Sequence, residues 1–230
     1  MLFRSGAAQG ATNAGTYALT ASGQTSANYD IVYGGGNLVI NPAPLTIAAD
    51  NVTKTYGQTA TLAAFTPTGL QNGETVGSAT LASSGAAATA GVGSSPYGIT
   101  ITGATGGTFN AANYAITYAP GTLTVNKATL TVTPGAAKTY DGRGYAGGAV
   151  TYSGFVNSEG AADLGGTLAF GGAAQGATNA GTYALTASGQ TSANYDIVYG
   201  GGNMVINPAP LTIAADNVTK TYGQTATLAA

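Results

Sequence analysis

The chain has 230 residues and a net charge of −2, from six Lys/Arg against eight Asp/Glu. So few cations exclude a basic face that tracks phosphates, and no Cys or His is present to supply disulfides, thiolate metal sites or imidazole chemistry. The 37 glycines do not indicate disorder, because Val, Ile, Thr and Tyr alternate cleanly, whereas disordered chains are usually charged and poor in such residues.

The elements run as follows. Residues 1–5 break the internal repeat described below and read as a sequencing or assembly scar, so they are set aside. Residues 6–44 read as the second half of a β unit. Tyr17–Ala21 alternates with period two and Ser22–Ser26 is a turn. Tyr29, Ile31 and Tyr33 share one face, Gly34-Gly35-Gly36 reverses the chain, and Leu38–Ile40 is a closing strand.

Residues 45–128 form a complete unit. Leu45 and Ile47 point inward, Asp50-Asn51 is a turn, and Thr53–Tyr56 is a strand stopped by Gly57. Leu70–Val76 has room for a short helical turn, although Asn72-Gly73 equally suits a tight reversal. Ser83–Gly91 reads as an exposed loop or weak edge strand. Tyr97–Ile101 and Tyr114–Tyr118 are strands, and Gly121–Val125 closes the unit. Residues 129–210 form a second complete unit, opened by Leu130 and Val132. It carries Lys138-Thr139-Tyr140-Asp141-Gly142 and places Phe155–Glu159 where the first unit has Leu70–Glu74. Residues 211–230 begin a further unit.

The repeat is explicit. Gly6–Ala64 and Gly172–Ala230 agree at 58 of 59 positions, the exception being Leu38 against Met204. Landmark tyrosines set the period: Tyr56 to Tyr140 is 84 residues and Tyr140 to Tyr222 is 82. Units of about 83 residues therefore alternate between two types, which marks an array.

At each junction the inward positions change phase. Leu123 and Val125 are odd, and Leu130 and Val132 are even. A one-residue phase change turns side chains to the other face. Only about four residues separate the strands, stiffened at one junction by Pro42 and Pro44. These features predict near-continuous strands that roll at each junction, and a semi-rigid rod of about 70 Å for the two complete units. The fold expected is all-β: tandem small Ig-like β-sandwiches in an elongated array. A β-grasp-like sheet, with Leu70–Val76 and Phe155–Asp163 as a short helix, is the alternative.

Little here suggests catalysis. Glu159 and Asp163 stand four apart, as a carboxylate pair could, but a solvated polar loop explains them better. Asp30, Asp141 and Asp196 are isolated and suit turns or strand faces rather than a calcium site. No catalytic, cofactor or metal residues are assigned and no cofactor is expected. No apolar run reaches the roughly 18–20 residues of a membrane helix, and no nucleic-acid partner is expected. The 14 tyrosines are the binding candidates. Most fit strand alternation and core packing; Tyr145 and Tyr152, beside glycine-rich sequence, are the ones that could contact a glycan or protein ligand.

Lys54-Thr55-Tyr56-Gly57 and Lys138-Thr139-Tyr140-Asp141-Gly142, with Asn113-Tyr114, Asn194-Tyr195 and the closing Gly121–Val125, resemble the MBG domain of YGX type and the related YDG domain. The resemblance covers Gly6–Ala230, with the two types alternating. It implies a non-catalytic extracellular repeat of large bacterial surface or secreted proteins, including filamentous-haemagglutinin-like adhesins. Any glycan or protein partner on a host or surface would then belong to the parent protein. The resemblance brings no catalytic residues.

Overall fold

The computed structural model of the chain describes residues 3–227, with side chains from Gly6 onward. Met1 and Leu2, which open the segment read as a scar, lie outside the described residues, as do residues 228–230 of the last fragment. Two compact units form. The first comprises residues 1–130, 154–165 and 191–197; the second comprises 131–153, 166–190 and 198–230.

The first unit opens with an antiparallel sheet of β1 (Phe3–Ser5), β2 (Gly15–Ser22) and β3 (Gly36–Ile40), in that order. Phe3–Ser5, set aside above, thus adds a strand to β2. Next come β4 (Ala43–Ala49), β5 (Val52–Thr55), β6 (Phe65–Thr68), β7 (Val76–Ala82), β8 (Tyr97–Gly107), β9 (Tyr114–Ala119) and β10 (Gly121–Asn126). They build a three-stranded sheet β6-β4-β9 and a four-stranded sheet β5-β10-β8-β7. β4 packs against β8 and β10 across the two sheets. Leu45 and Ile47 of β4, Ile99 and Ile101 of β8, and Leu123 and Val125 of β10 are its buried residues. Period-two burial of these strands is what a two-layer β fold requires.

In the second unit β11 (Ala128–Thr139) is one long strand that does the work of β4 and β5 together. Residues 131–135 pair antiparallel with β12 (Ala149–Ser153), and residues 135–139 pair parallel with β16 (Gly202–Asn207). The sheet runs β12-β11-β16-β14-β13, with β13 at Gly165–Gly171, β14 at Gly181–Thr191, and β15 (Tyr195–Tyr199) also on β11. Ala174, Leu185, Met204 and Ile206 form its core, with Phe170 and Tyr183 packed against them. The fold is therefore all-β and sandwich-like. Its first strands pair parallel with its last ones (β4 with β9, β5 with β10), a feature that strand patterning does not display because parallel partners must be distant in sequence.

The helix that the β-grasp alternative needs does not form. Among the described residues helical structure is confined to single 3₁₀ turns. Gln71–Glu74 is a tight turn, closed by Glu74 N–H donating to Gln71 O at 2.9 Å, with φ of 54° at Asn72 and 70° at Gly73. Two consecutive positive φ values are those of a type I′ turn, for which Asn-Gly is the favoured pair. The turn links β6 to β7, which lie in different sheets, so it is a crossing and not a hairpin. Val156–Glu159 repeats it, with φ of 55° at Asn157 and 62° at Ser158.

Ser83–Gly91 is not the exposed loop its composition suggests. Gly85 is buried, and a Cβ there would sit 2.5 Å from the Tyr97 ring. Small side chains let this backbone lie close, so its carbonyls serve as acceptors: Ala86 O for Ala60 N–H and Ala88 O for Gly57 N–H.

The phase change at the junction is present. Leu123 and Val125 of β10, and Leu130 and Val132 of β11, are all buried, and Lys127 alone separates the two strands. Identical sequence does not bring identical burial. Tyr195 is 3% exposed and its sequence twin Tyr29 is 78% exposed. Burial here belongs to strands meeting their partners, because apolar area leaves water only where a second layer covers it.

Candidate functional site: a tyrosine–glutamate cluster

Three short segments of the first unit converge. β5 pairs parallel with β10 and ends in Lys54-Thr55, and Tyr56 N–H then donates to Asn126 O at 2.8 Å. Gln58 N–H closes a turn onto Thr55 O at 3.0 Å with Gly57 at φ 88°, the type II geometry that calls for glycine at its third position. A Cβ on Gly57 would fall 2.5 Å from Val156 Cγ2, so the turn also needs glycine for close approach. The Val156–Glu159 turn supplies the second segment. Asn194-Tyr195 is the third, its backbone held by Ser192 Oγ, which accepts from both N–H groups at 3.1 Å.

The rings and one carboxylate then interlock. Tyr56 hydroxyl donates to Glu159 Oε1 and Tyr195 hydroxyl to Glu159 Oε2, each at 2.5 Å. Val156 N–H donates to the Tyr195 hydroxyl at 3.0 Å. Tyr56 meets Tyr195 edge to face at 5.6 Å between centroids, and Phe155 does the same at 5.5 Å. Such T-shaped pairs are favoured by the ring quadrupoles. Tyr56 and Tyr195 are buried and Glu159 is half-buried. Burial and the Glu159 hydrogen bond push the Tyr195 hydroxyl up to about 12. For Tyr56 the Glu159 hydrogen bond is the larger cause of an upward shift, followed by burial. Both phenols therefore stay protonated as donors. Beside them Lys54 is buried, its ammonium donating to Gln58 O at 3.0 Å and to Ala87 O, and burial lowers its pKa.

A smaller version occurs around Tyr114. Its hydroxyl donates to Glu74 Oε2 at 2.6 Å and accepts from Gln71 N–H at 2.9 Å. The Glu74 hydrogen bond, first among the causes, raises the Tyr114 pKa. Asn72-Gly73-Glu74 and Asn113-Tyr114 thus match Asn157-Ser158-Glu159 and Asn194-Tyr195 in role.

Chemically, the cluster saturates a carboxylate with two phenols and leaves no poised base or nucleophile. The pairing of Glu159 with Asp163 raised by the sequence is not built. Asp163 is exposed and accepts from Gly160 N–H at 2.8 Å within its own turn. Asp141 binds Lys138 at 2.8 Å and accepts from Arg143 N–H; the Lys138 hydrogen bond lowers its pKa. Among the described residues no group of three or more metal-ligating side chains comes together, and no helix is long and apolar enough to cross a membrane.

Both tyrosines singled out from the sequence lie in the second unit and are half-buried. Tyr145 packs against the Ala174–Leu185–Met204–Ile206 core, and its backbone exchanges hydrogen bonds with Gly176 and Ala177. Tyr152, on β12, bonds the Gln190 side chain at 2.8 Å through its hydroxyl. Sequence reasoning used Tyr56 and Tyr195 as landmarks and missed their meeting at Glu159. The available signal was the Asn-Gly-Glu and Asn-Ser-Glu pair at matching places in the two units.

No curated protein matches the chain. The family profile described as MBG domain (YGX type) matches residues 45–124 and again residues 130–205. Tyr56 comes from the first match, and Glu159 and Tyr195 from the second, so the cluster holds together residues of consecutive repeats. With these two matches over more than half its length, the chain belongs to the MBG domain family of the YGX type, in tandem copies.

Proposed function

We propose that this chain is a non-catalytic repeat region of a large bacterial cell-surface or secreted adhesin, of the filamentous-haemagglutinin-like kind, working as a semi-rigid spacer. Residues 129–210 then represent the YDG variant of the repeat, alternating with the YGX form. The observation that carries the reading is how the polar cluster is spent. Tyr56, Glu159 and Tyr195 use their polar groups on one another, across residues of two successive repeats, as a cross-link does. Tandem family matches are in keeping with an array whose neighbours stabilise each other.

Small-angle scattering of the chain, with a glycan array and pull-downs, tests this. The spacer reading expects an extended particle and no specific ligand. A maximum dimension close to that of one compact globule would overturn it. Specific binding lost on Tyr145→Ala or Tyr152→Ala would replace it with a reading in which the repeats themselves hold glycan or protein.

A further inference from the structure

We propose that the free edge of β3, together with the cavity beside Glu74 and Tyr114, is an acceptor site for a strand ending in Lys-Thr-Tyr, supplied by Val218–Tyr222 of a second copy of this chain. The inference is independent of the spacer reading.

Two strands in the molecule already carry such a partner. β10 carries β5 in parallel, with Val125 opposite Lys54 and Asn126 opposite Thr55, and Tyr56 N–H then reaches Asn126 O. β16 carries the end of β11 in parallel, with Ile206 opposite Lys138 and Asn207 opposite Thr139, and Tyr140 N–H reaches Asn207 O at 2.8 Å. β3 is the sequence twin of β16. It pairs with β2 in the register that β16 keeps with β14, Tyr17 opposite Leu38 as Tyr183 is opposite Met204. β3 ends its sheet, and Leu38 is 36% exposed where Met204 is 0%. A parallel strand laid on β3 in the same register sets its threonine opposite Asn41 and its tyrosine N–H on Asn41 O. Strand addition of this kind takes affinity from the backbone and specificity from side-chain pockets.

The pocket is where that tyrosine would arrive. A cavity of about 130 Å³ is lined by Asn41, Asn72, Glu74, Asn113 and Tyr114, among others. An engineered cavity of about 150 Å³ takes benzene, so one phenol ring suits this size. Four of these residues correspond to those around Tyr56: Asn157, Glu159, Asn194 and Tyr195. The framing bonds correspond too. Ala14 N–H donates to Asn113 Oδ1 at 2.8 Å, as Val92 N–H does to Asn194 Oδ1 at 3.0 Å. Glu159 accepts a phenol on each oxygen, and Glu74 takes Tyr114 on Oε2, which leaves Oε1 oriented for a second phenol.

The donor is preformed. Val218–Tyr222 repeats Val52–Tyr56, lies in no strand, and exposes Tyr222 fully. Its turn already matches that of Tyr56: Gln224 N–H donates to Thr221 O at 3.1 Å, Thr221 N–H to Gln224 Oε1 at 3.2 Å, and Gly223 has φ 87°. A preorganised turn lowers the ordering cost of docking. Donor and acceptor are different surfaces, so the contact is head-to-tail.

Sedimentation equilibrium of the whole chain tests the proposal. Concentration-dependent association is expected, weakened at least about tenfold by Tyr222→Phe and by Glu74→Gln, the scale of one hydrogen bond to a charged group. A synthetic Asp216–Gln224 peptide should compete, and its Tyr-to-Phe version should not. Tyr222 stands in exposed backbone, so its substitution leaves both units folded. A chain that stays monomeric at millimolar concentration, or association indifferent to Tyr222→Phe and to the peptide, would overturn the proposal.

Discussion

Tyr56 and Tyr195, 139 residues apart, meet edge to face and place their hydroxyls on the two oxygens of a single carboxylate, Glu159. Neither phenol can leave without exposing the other's acceptor to rearrangement. A hydrogen bond to a charged group contributes roughly 1.5–3 kcal/mol. Tyr195→Phe should therefore lower the stability of the first unit by about 2 kcal/mol, and Tyr56→Phe by somewhat less. Because both act through Glu159, the double variant should lose measurably less or more than the two losses added together. Urea unfolding of the four proteins measures the coupling, and simple additivity would show that the shared carboxylate is not the link.

Alkaline stability follows from the same group. Tyrosine titrates near 10 in an unfolded chain, and Tyr195 is pushed up to about 12 in the fold. A raised folded value gives stability that is fully present below pH 10 and is lost as pH climbs from 10 through about 12. Tyr56 shifts the same way. Lys54, lowered by burial, acts in the opposite sense, since its cost is relieved as pH rises toward its ordinary 10.5. Two raised phenols against one lysine predict a net loss, read from denaturant midpoints at pH 8, 10 and 11.5. Tyr195→Phe should show a flatter profile; a native midpoint unchanged between pH 10 and 11.5 would contradict the assignment.

How much of this was legible in the sequence depends on distance along the chain. Period-two alternation of Leu45 and Ile47, or Leu130 and Val132, reports local burial, and the structure buries all four. The parallel pairing of β4 with β9 left no local trace, because each strand alternates the same way whichever neighbour it takes. The Glu159 cluster was hidden for a related reason. An isolated glutamate next to Asn157-Ser158 has the composition of a solvated loop, and only the fold brings Tyr56 to it. The helix alternative failed on backbone geometry: Asn72 and Asn157 sit at positive φ, which a helix cannot accommodate.

Ser158 offers a gain. It holds φ 62° in a turn whose counterpart has Gly73 at φ 70°. A left-handed conformation costs a side-chain-bearing residue about 1–2 kcal/mol, partly offset by the extra freedom glycine has when unfolded. Ser158→Gly should raise stability by about 0.5–1 kcal/mol while leaving the Glu159 contacts in place. A thermal melt that falls would mean that the serine hydroxyl holds the turn in a way its backbone angle does not show.

Gly57 should tolerate nothing larger. Its φ of 88° already disfavours a side chain, and an added Cβ would lie 2.5 Å from Val156 Cγ2 and 2.6 Å from Val156 Cβ. Both Val156 atoms belong to the turn that carries Glu159, so relief of the clash must move the carboxylate away from Tyr56 or unwind the Thr55–Gln58 turn. Gly57→Ala should therefore cost about 2–4 kcal/mol, adding the backbone term to the loss of one charged hydrogen bond. Pairing it with Val156→Ala separates the two causes. The double variant removes the atoms that clash and should recover part of the loss, leaving the share set by φ. Equal destabilisation in Gly57→Ala with and without Val156→Ala would show that backbone conformation alone demands glycine there, and that the close packing of the two turns is incidental.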